Sequence, residues 1–114
     1  MPEANDLAAV RAAVLAFRDA RDWRQFHSLK NLIVSLNLEA AELLELTQWK
    51  SEEEMLGISG EALRDECADV LLYLLLIADK AGINLEEAAR NKLKKNAAKY
   101  PIEKSYGSSR KYTQ

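Results

Sequence analysis

The stretch "ECADVLLYLLLIA", residues 66–78, decides the fold because its apolar side chains surround nearly the whole circumference of a helix. A helix that is apolar on all sides is buried against other helices rather than laid on a surface. The uninterrupted apolar run at 70–78 is too short to cross a bilayer, which takes about 20 residues. We therefore predict a central helix from about Glu61 to Ala81, ended by Gly82, in an all-α protein.

Helical spacing of apolar residues recurs on both sides of this stretch, whereas the alternation typical of strands does not occur. Before the central helix we predict a first helix from Asn5 or Asp6 to about Phe17, a connection over 18–28 and a second helix from about Ser28 to Trp49. A loop over 51–60, with room for a short turn, leads into the central helix. After it we predict a fourth helix, opened by a capping box at Asn84 and Glu87 and ended before Pro101, and an extended tail over 101–114.

Composition restricts the class of protein. A chain of 114 residues with a net charge of −2 has no bulk field that favours nucleic acid or an anionic membrane. Its single cysteine, Cys67, excludes a disulfide framework and a thiol metal cage, and the N-terminal residues lack the basic segment of a signal peptide. We predict one domain over 1–114 with its core at about 21–100, a cytoplasmic location, and neither a membrane nor a nucleic-acid partner.

Two pairs of carboxylates interrupt the apolar helices at the same three-residue spacing. Glu39 and Glu42 lie about 60° apart on the shoulder of the apolar stripe of the second helix. Glu66 and Asp69 repeat this offset on the central helix. Burying ionised carboxylates without a partner is costly, so four of them together need a cation or have to stay protonated. The alternative is that these acids are solvated or paired with lysines, and Glu45 points furthest from the apolar face.

Oxygen ligands at i and i+3 on two paired helices suit a hard divalent cation. Mg²⁺ prefers carboxylates, keeps some of its water ligands and is commonly shared with substrate phosphates. Zinc and di-iron sites use nitrogen or sulfur ligands, whereas the only histidine, His27, lies outside both acid pairs. Mg²⁺ is therefore the predicted cofactor.

The two pairs read Glu39-x-x-Glu42 and Glu66-x-x-Asp69, which resembles the ExxE…ExxD signature of the MazG-like all-α nucleoside triphosphate pyrophosphohydrolases. The resemblance covers most of the chain, from about Arg21 to Thr113. Five further segments resemble the dCTP pyrophosphatase branch of that family in order and spacing: "RDWRQFH" at 21–27, "QWKS" at 48–51, "DVLLYL" at 69–74, "KYP" at 99–101 and "GSSRKYT" at 107–113.

The resemblance implies a four-helix MazG-like fold in which the helices of two subunits form one bundle. It also implies hydrolysis of a nucleoside triphosphate between its α and β phosphates, giving the monophosphate and pyrophosphate. The four acids would hold Mg²⁺ against the triphosphate, and Glu39 or Glu42 would be the base that activates water. The implied substrate is dCTP or a modified dCTP, and another or broader base preference stays open.

The resemblance further assigns residues to the nucleotide. Aromatic faces stack on any base, and the implied base and sugar pocket consists of Trp23, His27, Asn31, Trp49 and Tyr73. The implied phosphate contacts are Lys92, Asn96, Lys99 and Lys111, of which the first three lie at i, i+4 and i+7 on one helix face. From spacing alone, the aromatic residues would equally fit core or dimer packing, and the lysines would fit a solvated face.

Four modest helices cannot cover every side of the central helix, so we expect a homo-oligomer, either a dimer or a tetramer. A protein of another class, a non-catalytic helical dimerisation module, would keep the acids for structure alone. The two hypotheses differ in whether Mg²⁺ and a nucleoside triphosphate bind.

Overall fold

The computed structural model of this protein describes residues 6–57 and 60–109, and all regular secondary structure in those ranges is helical. The elements are α1 Leu7–Ala20, a 3₁₀ helix Arg24–Phe26, α2 Leu29–Glu45, α3 Glu52–Gly57, α4 Gly60–Ala81, α5 Leu85–Lys99 and α6 Ile102–Ser105. The predicted all-α class is confirmed. No helix within the described ranges is long and apolar enough to span a membrane.

The chain divides at Gly82 into two compact units, residues 1–82 and 83–114. The assignment of 1–114 to one domain stays a prediction. In the first unit, α4 packs mainly against α2 and over a smaller contact against α1. The central helix and its end at Gly82 are confirmed, and Gly82 adopts φ +69°, a left-handed conformation that glycine reaches without a Cβ clash.

The core of the first unit lies between these three helices. Its most buried side chains are Leu75 of α4, 1% exposed, and Leu32 of α2, 2% exposed. A neighbouring flank of α4 is less buried, because Leu63, Leu71 and Leu74 keep 37–38% of their surface exposed. Within one chain, α1 and α2 thus cover only part of the circumference of α4, in line with the expectation that four helices cannot cover every side of it. The burial of the exposed flank by a second copy stays a prediction.

α1 begins where the sequence indicated and ends later. The carboxylate of Asp6 caps it by accepting a hydrogen bond from the Ala9 N–H at 2.8 Å. The helix continues through Ala20, so the connection predicted for 18–28 starts too early. The reason is Arg18, which is only 7% exposed because it forms an ion pair with Asp79 of α4 at 3.0 Å. Arg18 follows Val14 on the buried face and thus extends the packed helix by one turn.

α2 has the predicted start, since the Ser28 hydroxyl accepts a hydrogen bond from the Asn31 N–H at 3.0 Å. It ends at Glu45, before the predicted limit at Trp49, and residues 46–49 form turns. In these turns the Thr47 hydroxyl donates to the Leu44 carbonyl at 2.7 Å, a local bond that competes with helix continuation. Trp49 itself has φ +63°.

The loop predicted for 51–60 is wrong for most of its length, because α3 occupies 52–57. A reciprocal capping box starts this helix: the Glu54 N–H donates to the Ser51 hydroxyl, and the Ser51 N–H donates to the Glu54 carboxylate. Three glutamates in the first turn also suit the positive end of the helix dipole. The residues of the box stand three apart in "SEEE", the spacing that signals a helix start.

The second unit contains α5 and α6. The Asn84 side chain caps α5 by accepting from the Glu87 N–H at 3.1 Å, and α5 ends at Lys99, before Pro101, both as predicted. The extended tail predicted for 101–114 is wrong at its start, where Ile102–Ser105 form a short helix. Residues 106–109 form a turn and then no regular secondary structure, whereas 110–114, including Lys111, lie outside the described residues.

Candidate active site

Three carboxylates from α2 and α4 meet in the first unit. Glu39, Glu42 and Glu66 each place one carboxylate oxygen within 4.8 Å of the others. We call these three residues the acid cluster. Two of its oxygens, Oε2 of Glu39 and Oε2 of Glu66, are buried and accept no hydrogen bond from the described residues. Buried acceptors almost always have a partner, so the donor set and its two unsatisfied oxygens fit a divalent cation bound through oxygen.

The electrostatics of the acid cluster also indicate that it requires a cation. Burial, followed by the hydrogen bond and the negative charge of Glu42, raises the pKa of Glu39 to about 7. Burial and the same neighbour also raise the pKa of Glu66 above its usual value. Carboxylates this close cannot all ionise without compensation, so the cluster retains a proton near neutral pH unless a cation replaces it.

Asp69 lies next to the acid cluster rather than inside it. It is not among the three residues whose oxygens lie within 4.8 Å of one another. Its negative charge nevertheless contributes to the raised pKa of both Glu39 and Glu66, so it lies close to them. Asp69 also lines a cavity on the side of α1. The fourth predicted acid thus connects the cluster with that cavity.

The cavity has a volume of about 390 Å³ and is formed by residues of α1, α4 and the segment between α1 and α2. Three aromatic side chains, Phe17, Trp23 and Tyr73, line it. Its other lining residues are Val10, Ala13, Val14, Arg18, His27, Asp69, Leu72 and Leu76. Ligand sites are commonly apolar concavities of roughly 300–1,000 Å³ with a few polar groups. The cavity therefore has the size and character of a site for one small aromatic ligand.

The segment after α1 fixes the aromatic wall. The backbone N–H of Trp23 donates to the Arg18 backbone carbonyl at 3.1 Å. The Trp23 ring meets the Phe17 ring edge to face, with ring centres 5.8 Å apart. The Arg21 guanidinium stacks over Phe17 at 3.5 Å from the ring centre. Asp22 has φ +54°, which turns the chain sharply enough for Trp23 to fold back. Trp23 is thus held in place by backbone and ring contacts.

Two polar side chains reach the cavity from this wall, Arg18 and His27. Nδ1 of His27 is buried and has no hydrogen-bond partner among the described residues. Burial, together with the positive charge of Arg18, lowers the pKa of His27 below its usual 6.5. His27 is therefore neutral at physiological pH and presents either a donor or an acceptor to a ligand.

The structure brings some of the predicted nucleotide residues together and leaves others apart. Trp23, His27 and Tyr73 share the cavity, whereas Asn31 and Trp49 do not line it. Trp49 is 92% exposed on the turn after α2, and the backbone N–H of Asn31 is engaged by the Ser28 cap. The pocket roles of Asn31 and Trp49 stay predictions.

The predicted phosphate residues lie in the second unit. Lys92, Asn96 and Lys99 are all on α5, where Lys92 and Lys99 are exposed and Asn96 is partly buried. Their roles stay predictions, and Lys111 lies outside the described residues.

Sequence reasoning missed the contribution of α1 to the cavity. Phe17 and Arg18 both line it, although neither belongs to the segments that carry the resemblance. A signal was present for Arg18: it lies four residues after Val14 and eight after Val10, on the apolar face of α1. A charge at such a position requires an opposite charge nearby, which Asp79 provides from α4.

Comparison with known proteins identifies relatives of this chain. The MazG-like family matches residues 34–114. The dCTP pyrophosphatase 1 of Homo sapiens is 39% identical over 114 residues, covering 95% of this chain, and that of Rattus norvegicus is 38% identical over 112 residues, covering 94%. The chain spans 66% of the length of these curated relatives.

One solved structure extends the similarity to the fold. The crystal structure of a pyrophosphatase from Archaeoglobus fulgidus matches with a TM-score of 0.79 at 40% identity, covering 89% of this chain and 97% of that one.

Proposed function

This chain belongs to the MazG-like family, and we propose on that premise that it is a Mg²⁺-dependent nucleoside triphosphate pyrophosphohydrolase. Its proposed substrate is dCTP or a modified dCTP, removed from the cytoplasmic nucleotide pool. The observation that carries the proposal is the acid cluster, with two unsatisfied buried oxygens, beside an aromatic cavity that has room for one base. The names of the relatives, dCTP pyrophosphatase 1, support the choice of base.

Glu39, Glu42 and Glu66, with Asp69 beside them, are the proposed Mg²⁺ ligands. Mg²⁺ would neutralise phosphate charge and make the phosphorus under attack more electrophilic. The chain contributes the placement: α2 and α4 pack against each other, so acids at i and i+3 on each helix converge. Asp69 borders both the acid cluster and the cavity, which would set the triphosphate at the cluster when the base occupies the cavity.

The reaction consumes one water molecule. Glu39 or Glu42 would accept a proton from that water as its oxygen bonds to phosphorus, and the anhydride bond between the α and β phosphates breaks. The products are the nucleoside monophosphate and pyrophosphate. Lys92, Asn96, Lys99 and Lys111 are the proposed contacts for the phosphate oxygens, because cations and amide donors complement the charge that these oxygens carry.

The base would occupy the cavity. Trp23 and Tyr73 provide flat faces for stacking, which gives affinity for a ring without selecting one base. His27 adds a polar group whose neutral state persists at physiological pH. At about 390 Å³ the cavity lies near the lower end of ligand-site volumes, which suits a single base better than a dinucleotide.

We also propose a homodimer, or a dimer of dimers, built on the exposed flank of α4. Leu63, Leu71 and Leu74 form an exposed apolar strip on α4, and burial of such a strip by a second copy would stabilise it. Sedimentation equilibrium should give at least twice the monomer mass of 12.8 kDa. A monomer at micromolar concentration would refute the assembly.

The substrate assignment is tested with a panel of canonical and 5-modified nucleoside triphosphates in the presence of Mg²⁺. We expect pyrophosphate and the monophosphate as products, with the highest kcat/KM for deoxycytidine nucleotides. Highest activity on another base would retain the reaction and change the substrate. Release of inorganic phosphate with the diphosphate as co-product would contradict the cleavage position.

A further inference from the structure

Arg18 is a buried cation in the wall of the cavity, and the reaction outlined above gives it no role. Its side chain is only 8% exposed, and it pairs through Nε with Asp19 at 2.8 Å and through Nη1 with Asp79 at 3.0 Å. A guanidinium has five N–H donors on three nitrogens. Nη2 makes no hydrogen bond to any described residue, although Arg18 lines the cavity. One edge of the guanidinium is therefore available to a ligand.

The position of that edge is fixed. Asp79 is itself anchored by Arg11, whose Nη2 lies 2.8 Å from the Asp79 Oδ1, so the carboxylate cannot easily follow a moving Arg18. The Arg18 carbonyl accepts the Trp23 N–H, which ties the same residue to the aromatic wall. A donor held from both sides costs little entropy when a ligand binds to it.

The chemistry of the lining defines the ligand class. Arg18 offers only donors, so its partner has to be an acceptor, and a flat ring is required between aromatic side chains. Nδ1 of His27, also unsatisfied, accepts from or donates to a second group on the ring. A heterocycle with a ring carbonyl satisfies Arg18, and cytosine, thymine, uracil and guanine each have at least one. Adenine has no carbonyl, and its N7 acceptor lies beside the N6 amino group, a donor that a guanidinium disfavours.

We propose that Arg18 is a specificity-determining residue whose Nη2 donates a hydrogen bond to a ring carbonyl of the bound base, so that the cavity selects carbonyl-bearing bases over adenine. The inference rests on the proposed function for the identity of the ligand as a nucleotide. The Asp19 and Asp79 pairs hold the guanidinium, and the aromatic wall supplies affinity that is common to all bases.

The test compares the binding of dCMP and dAMP by calorimetry in wild type, Arg18→Met and Arg11→Met. Arg11 is the matched control because it pairs with the same Asp79 but does not line the cavity. Arg18→Met should weaken dCMP binding on the order of 10- to 100-fold, the effect of losing a hydrogen bond from a charged donor, and leave dAMP binding unchanged. Arg11→Met keeps the Arg18 donor and removes only one support of Asp79, so it should weaken dCMP binding far less than Arg18→Met and leave dAMP binding unchanged.

Equal weakening of dCMP and dAMP in Arg18→Met would overturn the inference, because it would show a structural role alone. If Arg18→Met does not fold, Arg18→Lys replaces it. Lysine keeps the charge beside the two acids but ends in one nitrogen, so no second nitrogen takes the place of Nη2. The affinity for dCMP should therefore fall as in Arg18→Met, and wild-type affinity for dCMP would overturn the proposal.

Failure of this inference is distinguishable from failure of the proposed function. If wild type releases pyrophosphate and Arg18→Met keeps the wild-type ratio of kcat/KM for dCTP over dATP, only the role of Arg18 is refuted. If wild type releases no pyrophosphate from any triphosphate but the loss in Arg18→Met is confined to dCMP, the cavity assignment stands and the enzyme assignment falls.

Discussion

Glu42→Gln should reduce kcat for pyrophosphate release by about 10²- to 10⁴-fold while the protein keeps its helical fold. Glu42 is the member of the acid cluster whose charge and hydrogen bonding raise the pKa of both Glu39 and Glu66. The amide keeps the size of the side chain but removes its negative charge, and it is a poorer ligand for Mg²⁺. The measurement is steady-state pyrophosphate release at saturating Mg²⁺, with circular dichroism to verify the fold.

Glu45→Gln is the matched control for this substitution. Glu45 follows Glu42 by three residues on the same helix, is exposed and lies outside the acid cluster. Its variant should therefore keep wild-type turnover. Equal losses in the two variants would indicate that the net charge of α2 matters rather than the cluster, and wild-type turnover in Glu42→Gln would remove that residue from the reaction.

Glu39→Gln should stabilise the cation-free protein at pH 8 and make its stability less dependent on pH. The pKa of Glu39 in the folded protein, about 7, lies above the usual 4.5 of a glutamate, so between these values the folded state binds more protons than the unfolded state. The free energy of unfolding therefore falls as pH rises from about 4.5 to 7, and the penalty is complete above pH 7. Glu66, whose pKa is also raised, acts in the same direction.

The size of this effect is limited by solvent. One pKa unit corresponds to about 1.36 kcal/mol of stability, and solvent screening at a partly exposed carboxylate reduces that figure. We therefore expect Glu39→Gln to raise the free energy of unfolding at pH 8 by about 1–2 kcal/mol and the Tm by roughly 3–8 °C. Thermal denaturation in EDTA at pH 5 and pH 8 measures it. Mg²⁺ at pH 8 should raise the Tm of wild type more than that of Glu39→Gln. A Glu39→Gln protein less stable than wild type at pH 8 would contradict the account, and Glu45→Gln serves again as the control.

The candidate site was predictable where its residues interrupt a pattern. Glu39, Glu42 and Glu66 stood out because each occupies a place near an apolar face where a carboxylate is costly. Helical geometry then predicts that carboxylates at i and i+3 lie on one side of each helix. The apolar character of α4 predicts that its two carboxylates are drawn towards the interior. The meeting of the two helices followed from these two facts, since only α2 and α4 offer such pairs.

The residues that could not be predicted depend on partners distant in sequence. Arg18 looks like the end of a helix until Asp79, 61 residues later, is found beside it. Trp23 and Trp49 look equivalent as flanks of α2, yet one lines the cavity and the other is exposed. That difference comes from the turn at Asp22 and from the early end of α2, both governed by local backbone geometry rather than by hydrophobic spacing.

The misassigned segments of the fold have a similar cause. α3 is six residues long and starts with three glutamates, so its only sequence signal is the capping box, without an apolar stripe to support it. α6 follows Pro101 and is four residues long. Helices this short show no period, and their ends are fixed by caps and prolines.

The measurement that tests the central claim most directly is pyrophosphate release from dCTP by the wild-type protein, with Mg²⁺ and with EDTA, alongside a verified fold in both buffers. The account predicts release of dCMP and pyrophosphate with Mg²⁺ and none with EDTA. A folded protein that releases no pyrophosphate from dCTP or from any other nucleoside triphosphate under either condition would contradict it, and would leave a helical module that keeps its acids for structure.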